Sequence, residues 1–183
     1  MKVTKITKAD LDENNYYRHS YSIDVDGSIE IEGELGKVRF RGFLRAAGSI
    51  AATAGSDIEA GSSIKAGDEI KVGGGIKAGS SIEAGEWIEA RGAIKAGGGI
   101  EAGSSIKAGD EIKAGSSIKA GLQISAKKTI SAKLRIFAGI CSWRNPFPEE
   151  MTITAQRVEG EVGAGIVKLL APETSVQKNQ EGL

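Results

Sequence analysis

IEAGSSIKAGDEIKVGGGIKAGSS, residues 58–81, is one six-residue phrase written four times, each copy opening on isoleucine. Isoleucine then keeps returning at every sixth position through Ile136 without a slip. A fixed short period marks a solenoid, in which each unit buries its apolar face only by stacking on its neighbours. Six residues match neither the 3.6-residue period of a helix nor a long flat strand. They do suit one short strand and one turn. The expected fold class is therefore all-β, a single-stranded parallel β-helix (solenoid) with irregular β caps at both ends.

The phases of the hexad carry the local argument. Position two is Lys or Glu through most of the array, and position three is nearly always alanine, with Val72 the larger exception. Strand alternation places Ile inward, the charge outward and the small residue inward or at the corner. Position four is usually glycine, as at Gly61, Gly79 and Gly97. Glycine recurring at one phase is read as a turn with positive φ. Arg91, Lys127 and Lys133 interrupt it, at about 1 kcal/mol each if that conformation is kept.

Working outward, Ile23, Ile29 and Leu35 are already six apart, as are Val38, Leu44 and Ile50. Breaks of three residues (Leu35 to Val38) and eight (Ile50 to Ile58) separate these groups. Val25, Ile31 and Phe40 stand where alanine later sits, so this end has a fatter interior. Beyond IFAGIC, the phrase SWRNPFPEE breaks the pattern with two prolines, and residues 151–170 alternate loosely. The boundaries read as an amino-terminal cap segment (1–22) and a hexapeptide array (23–141, regular over 58–141). After these come a loop with carboxy-terminal capping strands (142–170) and a flexible tail (171–183).

The hexad spacing, with glycine at position four, resembles the hexapeptide-repeat, left-handed β-helix proteins over residues 23–141. That resemblance implies three hexads per triangular coil and a left-handed path, and it speaks for fold rather than function. Lysine at position two departs from the pattern, and so do Asp68, Glu86 and Asp110 at a site that is usually small. The phrases GSSIKAG and GDEIKAG are also similar to the polymer-forming bactofilins, whose β-helix is right-handed. Handedness stays open, with left favoured.

Three hexads per coil would stack position-two residues eighteen apart. Attractive pairs would then be Glu59–Lys77, Lys65–Glu83, Lys71–Glu89, Glu89–Lys107 and Glu101–Lys119. Lys77 would lie over Lys95, Lys95 over Lys113, and Glu83 over Glu101. A twelve-residue coil scores about as well on charge. The small-residue edge that eighteen creates (Ser62-Ser63, Ser80-Ser81, Gly98-Gly99, Ser116-Ser117) favours three.

Catalytic chemistry finds little to work with. Lys plus Arg equals Asp plus Glu at 24 each, so overall charge points to no polyanion. Cys141, the one cysteine, excludes an intramolecular disulfide and a cysteine-rich metal site. It reads as a buried small apolar residue. His19 is the one histidine; it precedes the array and reads as a cap-surface residue rather than a general base. The zinc enzymes built on this scaffold need three histidines, and the acyltransferases need a catalytic histidine and an embracing loop. Asp68-Glu69 and Asp110-Glu111 lack the spacing of calcium-binding repeats. Only Thr129 within the regular array (58–141) could serve an ice-binding threonine row. No catalytic residue, cofactor or metal is expected.

Charge segregation is the functional hint. Asp24, Asp26, Glu30, Glu32 and Glu34 form an acidic stretch, and Lys37, Arg39, Arg41 and Arg45 follow at once. No acid occurs between Glu111 and Glu149, whereas Lys127, Lys128, Lys133, Arg135 and Arg144 do. Trp143 and Phe147 add aromatic contact area beside Arg144. These residues are the candidate interaction surface.

The expected function is that of a non-catalytic β-helix acting through its surface, a self-assembling structural or interaction protein in homo-oligomeric form. Hexapeptide-repeat trimers and end-stacked β-helices, both implied by the resemblance, are the precedents. A second reading takes the chain as a phage- or mobile-element-type inhibitor that binds a host defence protein or sequesters a ligand; a hexapeptide acyltransferase comes third. Beyond itself, the expected partner is a protein or an acidic or phosphate-bearing molecule, with nucleic acid not favoured. No apolar run approaches the ~18 to 20 residues of a membrane span, so a cytoplasmic location without membrane partners is expected.

Overall fold

In the computed structural model, which describes residues 2–172, the chain is an all-β parallel solenoid of about eight turns, each of about eighteen residues. The carboxy-terminal tail expected from residue 171 falls almost wholly outside the described residues. Each hexad contributes a three-residue strand such as Ile64–Ala66, Ile70–Val72 or Ile76–Ala78. Each strand pairs in parallel with the one eighteen residues away: Ile58 aligns with Ile76, Ile64 with Ile82, and Ile70 with Ile88. Three faces result. One face is a separate nine-stranded sheet. The other two merge where the ten-residue strand Thr129–Ala138 runs continuously around their shared corner.

The interior follows from the hexad. Isoleucine at position one is buried in every coil and forms three columns, with alanine at position three packed beside it. Toward the amino terminus the larger residues replace alanine at the same register. Val25 lies over Ala46, Ile31 over Ala52 and Phe40 over Ala60. A fatter interior closes that end.

The two sequence breaks belong to one corner. Val38, not Leu35, continues the column below Ile58. Leu35 is instead an extra corner residue, and the longer passage from Ile50 to Ile58 stacks directly upon it. Glu34 (φ 58°), Gly36 (φ 67°) and Gly55 (φ 78°) turn this widened corner. Ser56, fully buried, fastens its two layers: the hydroxyl donates to the Glu32 carbonyl at 2.7 Å and accepts from the Leu35 N–H at 3.1 Å.

Glycine at position four has a different cause from the one its recurrence suggested. Gly61, Gly79 and Gly97 do not have positive φ; among the described glycines only Gly36, Gly55, Gly139, Gly160 and Gly165 do. The constraint is vertical. A Cβ on Gly79 would overlap the carbonyl oxygen of Gly61 one coil earlier, and one on Gly97 would overlap that of Gly79. Arg91, Lys127 and Lys133 likewise avoid the left-handed region, so the penalty expected for them does not arise.

The ends differ. At the amino terminus, strand Val3–Ile6 adds to the nine-stranded face beside Ser28–Ile31, and residues 7–19 fold back across the first coil. Ile6 and Leu11 are buried, and Tyr17 packs on Phe40 with ring centroids 5.9 Å apart. At the carboxy terminus Thr152–Ala155 and Arg157–Ala164 complete a coil, and Ile166–Leu169 begins the next by stacking on Thr152–Ala155. A long excursion precedes them. Gly139 (φ 81°) sends the chain out of the coil, and it returns at Thr152.

Candidate interaction surface

Position-two charges stand in ladders along the faces at ~4.8 Å per strand. Register puts all five expected attractive pairs side by side. Lys77 reaches Glu59 at 2.6 Å, Lys65 reaches Glu83 at 3.0 Å, Lys107 reaches Glu89 at 3.6 Å and Lys119 reaches Glu101 at 3.8 Å. The like-charged neighbours Lys77, Lys95 and Lys113 are also in register, and Lys95 turns to Glu111 at 2.6 Å. The small-residue edge forms as expected: the Ser80 N–H donates to the Ser62 carbonyl, Gly98 to Ser80, and Ser116 to Gly98.

The amino-terminal group of candidate residues gathers around the first coils. Arg39 and Arg41 both lie over the ring of Tyr16, at 5.7 and 4.6 Å from its centroid. Lys37 and Arg39 approach Glu59 at 3.7 and 3.6 Å. With Lys77, three cations therefore surround the Glu59 carboxylate, whose pKa lies below its usual value chiefly through the Lys77 hydrogen bond. Arg41 pairs with Asp12 at 3.3 Å, and Arg45 with Asp24 at 3.1 Å while lying over Phe43. These partners lie twenty or more residues away in sequence.

The carboxy-terminal group is not one patch. Lys127 and Lys128 occupy one corner, with Lys128 2.9 Å from Asp110, while Lys133 and Arg135 occupy another, with Arg135 3.1 Å from Glu161. Arg39 and Ser131 stand in the same ladder five strand steps apart, about 24 Å, so the two basic groups lie toward opposite ends of the solenoid.

Trp143, Arg144 and Phe147 do come together, on the excursion between Ala138 and Thr152. Arg144 makes two 2.6 Å hydrogen bonds to the Glu150 carboxylate, and the Phe147 N–H adds a third at 2.9 Å. These bonds hold the Glu150 pKa down at about 2, with Arg144 the principal cause. The guanidinium lies 4.9 Å from the Trp143 ring centroid and 5.9 Å from that of Phe147. Both rings face solvent, 61% and 63% exposed. Cys141, expected in the interior, is half-exposed because Gly139 has already turned the chain outward.

His19 belongs to the amino-terminal cap: its Nε2 lies 2.9 Å from Asp10, and its ring meets Tyr17 edge-on at 5.2 Å. Among the described residues no three His, Cys, Asp or Glu side chains gather where they could hold a metal ion. No helix among them is long and apolar enough to cross a membrane.

Sequence inspection missed the open end of the last coil. Among the described residues all three inward columns finish in valine: Val158 continues Ile130, Val162 continues Ile136 and Val167 continues Ile153. Val158 and Val162 are only partly buried, and Ile166, Val167, Leu169 and Leu170 are exposed. Among the described residues nothing pairs with the outer edges of Arg157–Ala164 and Ile166–Leu169. The signal in the sequence is the loose apolar alternation of VEGEV and GIVKLL, which serves a capping strand and an exposed apolar end equally well.

Fold and surface thus define a parallel β-solenoid whose amino-terminal end is covered and whose carboxy-terminal end, among the described residues, is open. Compared with protein-family models, curated proteins and solved structures, the chain finds no match.

Proposed function

We propose that this is a non-catalytic, cytoplasmic solenoid of the hexapeptide-repeat kind that self-associates through its carboxy-terminal end. One observation carries the reading: among the described residues the three inward columns stop at partly covered valines beside unpaired strand edges, with Leu169 67% exposed. Exposed strand edges and apolar surface together favour another copy of the same edge. The covered amino-terminal end has no matching surface, so head-to-tail stacking is disfavoured. Two open ends meeting about a two-fold axis give a closed dimer rather than a filament.

Light-scattering mass after size exclusion tests this. A dimer is expected, reduced to monomer by Leu169→Asp. Truncation after Pro172 distinguishes a second copy from the chain's own last residues as the cover. If those residues cover the end, truncation will create an oligomer absent from the full chain.

A second reading, a binder of another protein such as a host defence factor, draws on the excursion. Trp and Arg are the residue types that dominate contact energies at interfaces. Here Trp143, Arg144 and Phe147 are held in place by Glu150 before any partner arrives, which lowers the entropy cost of binding. Trp143→Ala would abolish capture of such a partner without altering the mass of the free protein.

A further inference from the structure

We infer that the recess between the amino-terminal cap and the Arg39–Glu59–Lys77 ladder binds a small phosphate-bearing aromatic molecule, a nucleoside monophosphate being the simplest that fits. The recess is an open cleft of about 590 Å³, a volume within the ~300 to 1,000 Å³ usual for small-ligand sites. Its walls carry Arg39, Arg41 and Lys77 against the Glu59 carboxylate, with Asp12 paired to Arg41, and Tyr16 and Tyr21 enter from the cap side.

The phosphate half of the site rests on the arginines. Both guanidinium groups lie over the Tyr16 ring, Arg41 the closer at 4.6 Å. Arg39 gives one N–H to the Asn14 carbonyl at 2.8 Å and approaches Glu59 with Nε, while Arg41 gives one to Asp12. A guanidinium has five N–H donors, so each keeps a free edge, and planar forks of this kind match phosphate oxygens. Lys77, hydrogen-bonded to Glu59 at 2.6 Å, adds a third cation on the same wall.

The aromatic half rests on the turn. Gly61 and Gly79 line the recess, and the close vertical approach of their coils keeps side chains off that floor. Tyr21 stands at its margin, 70% exposed, with its ring packed against Gly42. A flat ring can lie on the glycine floor and against Tyr21, since base–aromatic stacking tolerates any base identity. This site is separate from the carboxy-terminal contact and does not depend on it.

Calorimetric titration of the full chain with AMP, inorganic phosphate and a short single-stranded oligonucleotide tests the inference. AMP should saturate one site, with inorganic phosphate at least about tenfold weaker because it lacks the ring. Arg41→Ala should weaken AMP by about tenfold or more. Tyr21→Ala should weaken AMP while leaving phosphate binding and the melting temperature unchanged, which separates lost recognition from a disturbed cap. No AMP binding at millimolar concentration, AMP no tighter than phosphate, or AMP affinity indifferent to both substitutions would overturn the inference. So would an oligonucleotide binding more than about tenfold tighter than AMP, which would reassign the recess to single strands.

Discussion

Gly79 stands directly over Gly61, so close that a methyl group on it would overlap the carbonyl oxygen of the earlier coil. The obstacle is backbone, which a side-chain rotation cannot relieve. Gly79→Ala or Gly97→Ala should therefore destabilise the protein by about 1 to 3 kcal/mol, the range for overpacked sites. Gly99→Ala is the control: its nearest obstacle is the Ser117 carbonyl oxygen at 3.3 Å, so its cost should stay below about 1 kcal/mol. Urea unfolding of the three variants measures the difference.

Ser56 supplies a fully buried hydroxyl that bonds to both layers of the widened corner. Ser56→Ala would leave the Glu32 carbonyl and the Leu35 N–H without that partner. A loss of about 1 to 3 kcal/mol should follow, the usual cost of unsatisfied buried polar groups. Ser56→Ala in equilibrium denaturation checks it, with unchanged m-value expected if only the corner suffers.

The ladders should contribute unevenly. Glu59 is mostly covered and meets three cations, whereas Glu101 is 63% exposed and meets Lys119 at 3.8 Å. Glu59→Gln should cost up to about 1 kcal/mol and Glu101→Gln near zero, as for exposed pairs generally. Thermal melts at low and high salt should narrow the gap, since added salt screens the partly exposed network.

The Glu150 carboxylate is depressed to about 2 in the folded protein, against 4.5 without its partners. Its contribution is therefore present above pH 4.5 and lost as the pH falls toward 2. The excursion should loosen in that window while the core persists. Carboxyl NMR titration should place Glu150 near 2, rising toward 4.5 in Arg144→Leu. A wild-type value near 4.5 would show that the Arg144 pair does not form in solution.

The array was readable because every coil repeats one instruction. Ile58, Ile76 and Ile94 occupy identical surroundings, so period alone assigned the interior and, with the small-residue edge, the eighteen-residue coil. The glycine rule misled because a sequence shows recurrence but not its cause: a left-handed φ and a neighbouring carbonyl select the same residue. Leu35 was hard to place for a related reason. A break is visible in one dimension, but its stacking on the passage before Ile58 exists only in three.

The interaction surface was less readable. Charge counts marked Arg41 and Arg45, but their partners Asp12 and Asp24 lie 29 and 21 residues away and were invisible as partners. Arg144 and Glu150, six residues apart, could have been paired from the proline-bounded phrase between them. The apolar end was not legible because Val158, Val162 and Val167 look like ordinary strand residues until they are seen to be the last described members of their columns.

Light-scattering mass of the wild type and of Leu169→Asp, each at low and high salt, tests the central claim most directly. The account predicts a wild-type dimer that survives high salt, because the contact is apolar, and a monomeric variant. A wild-type monomer at every concentration, or an oligomer that Leu169→Asp leaves intact, would contradict it.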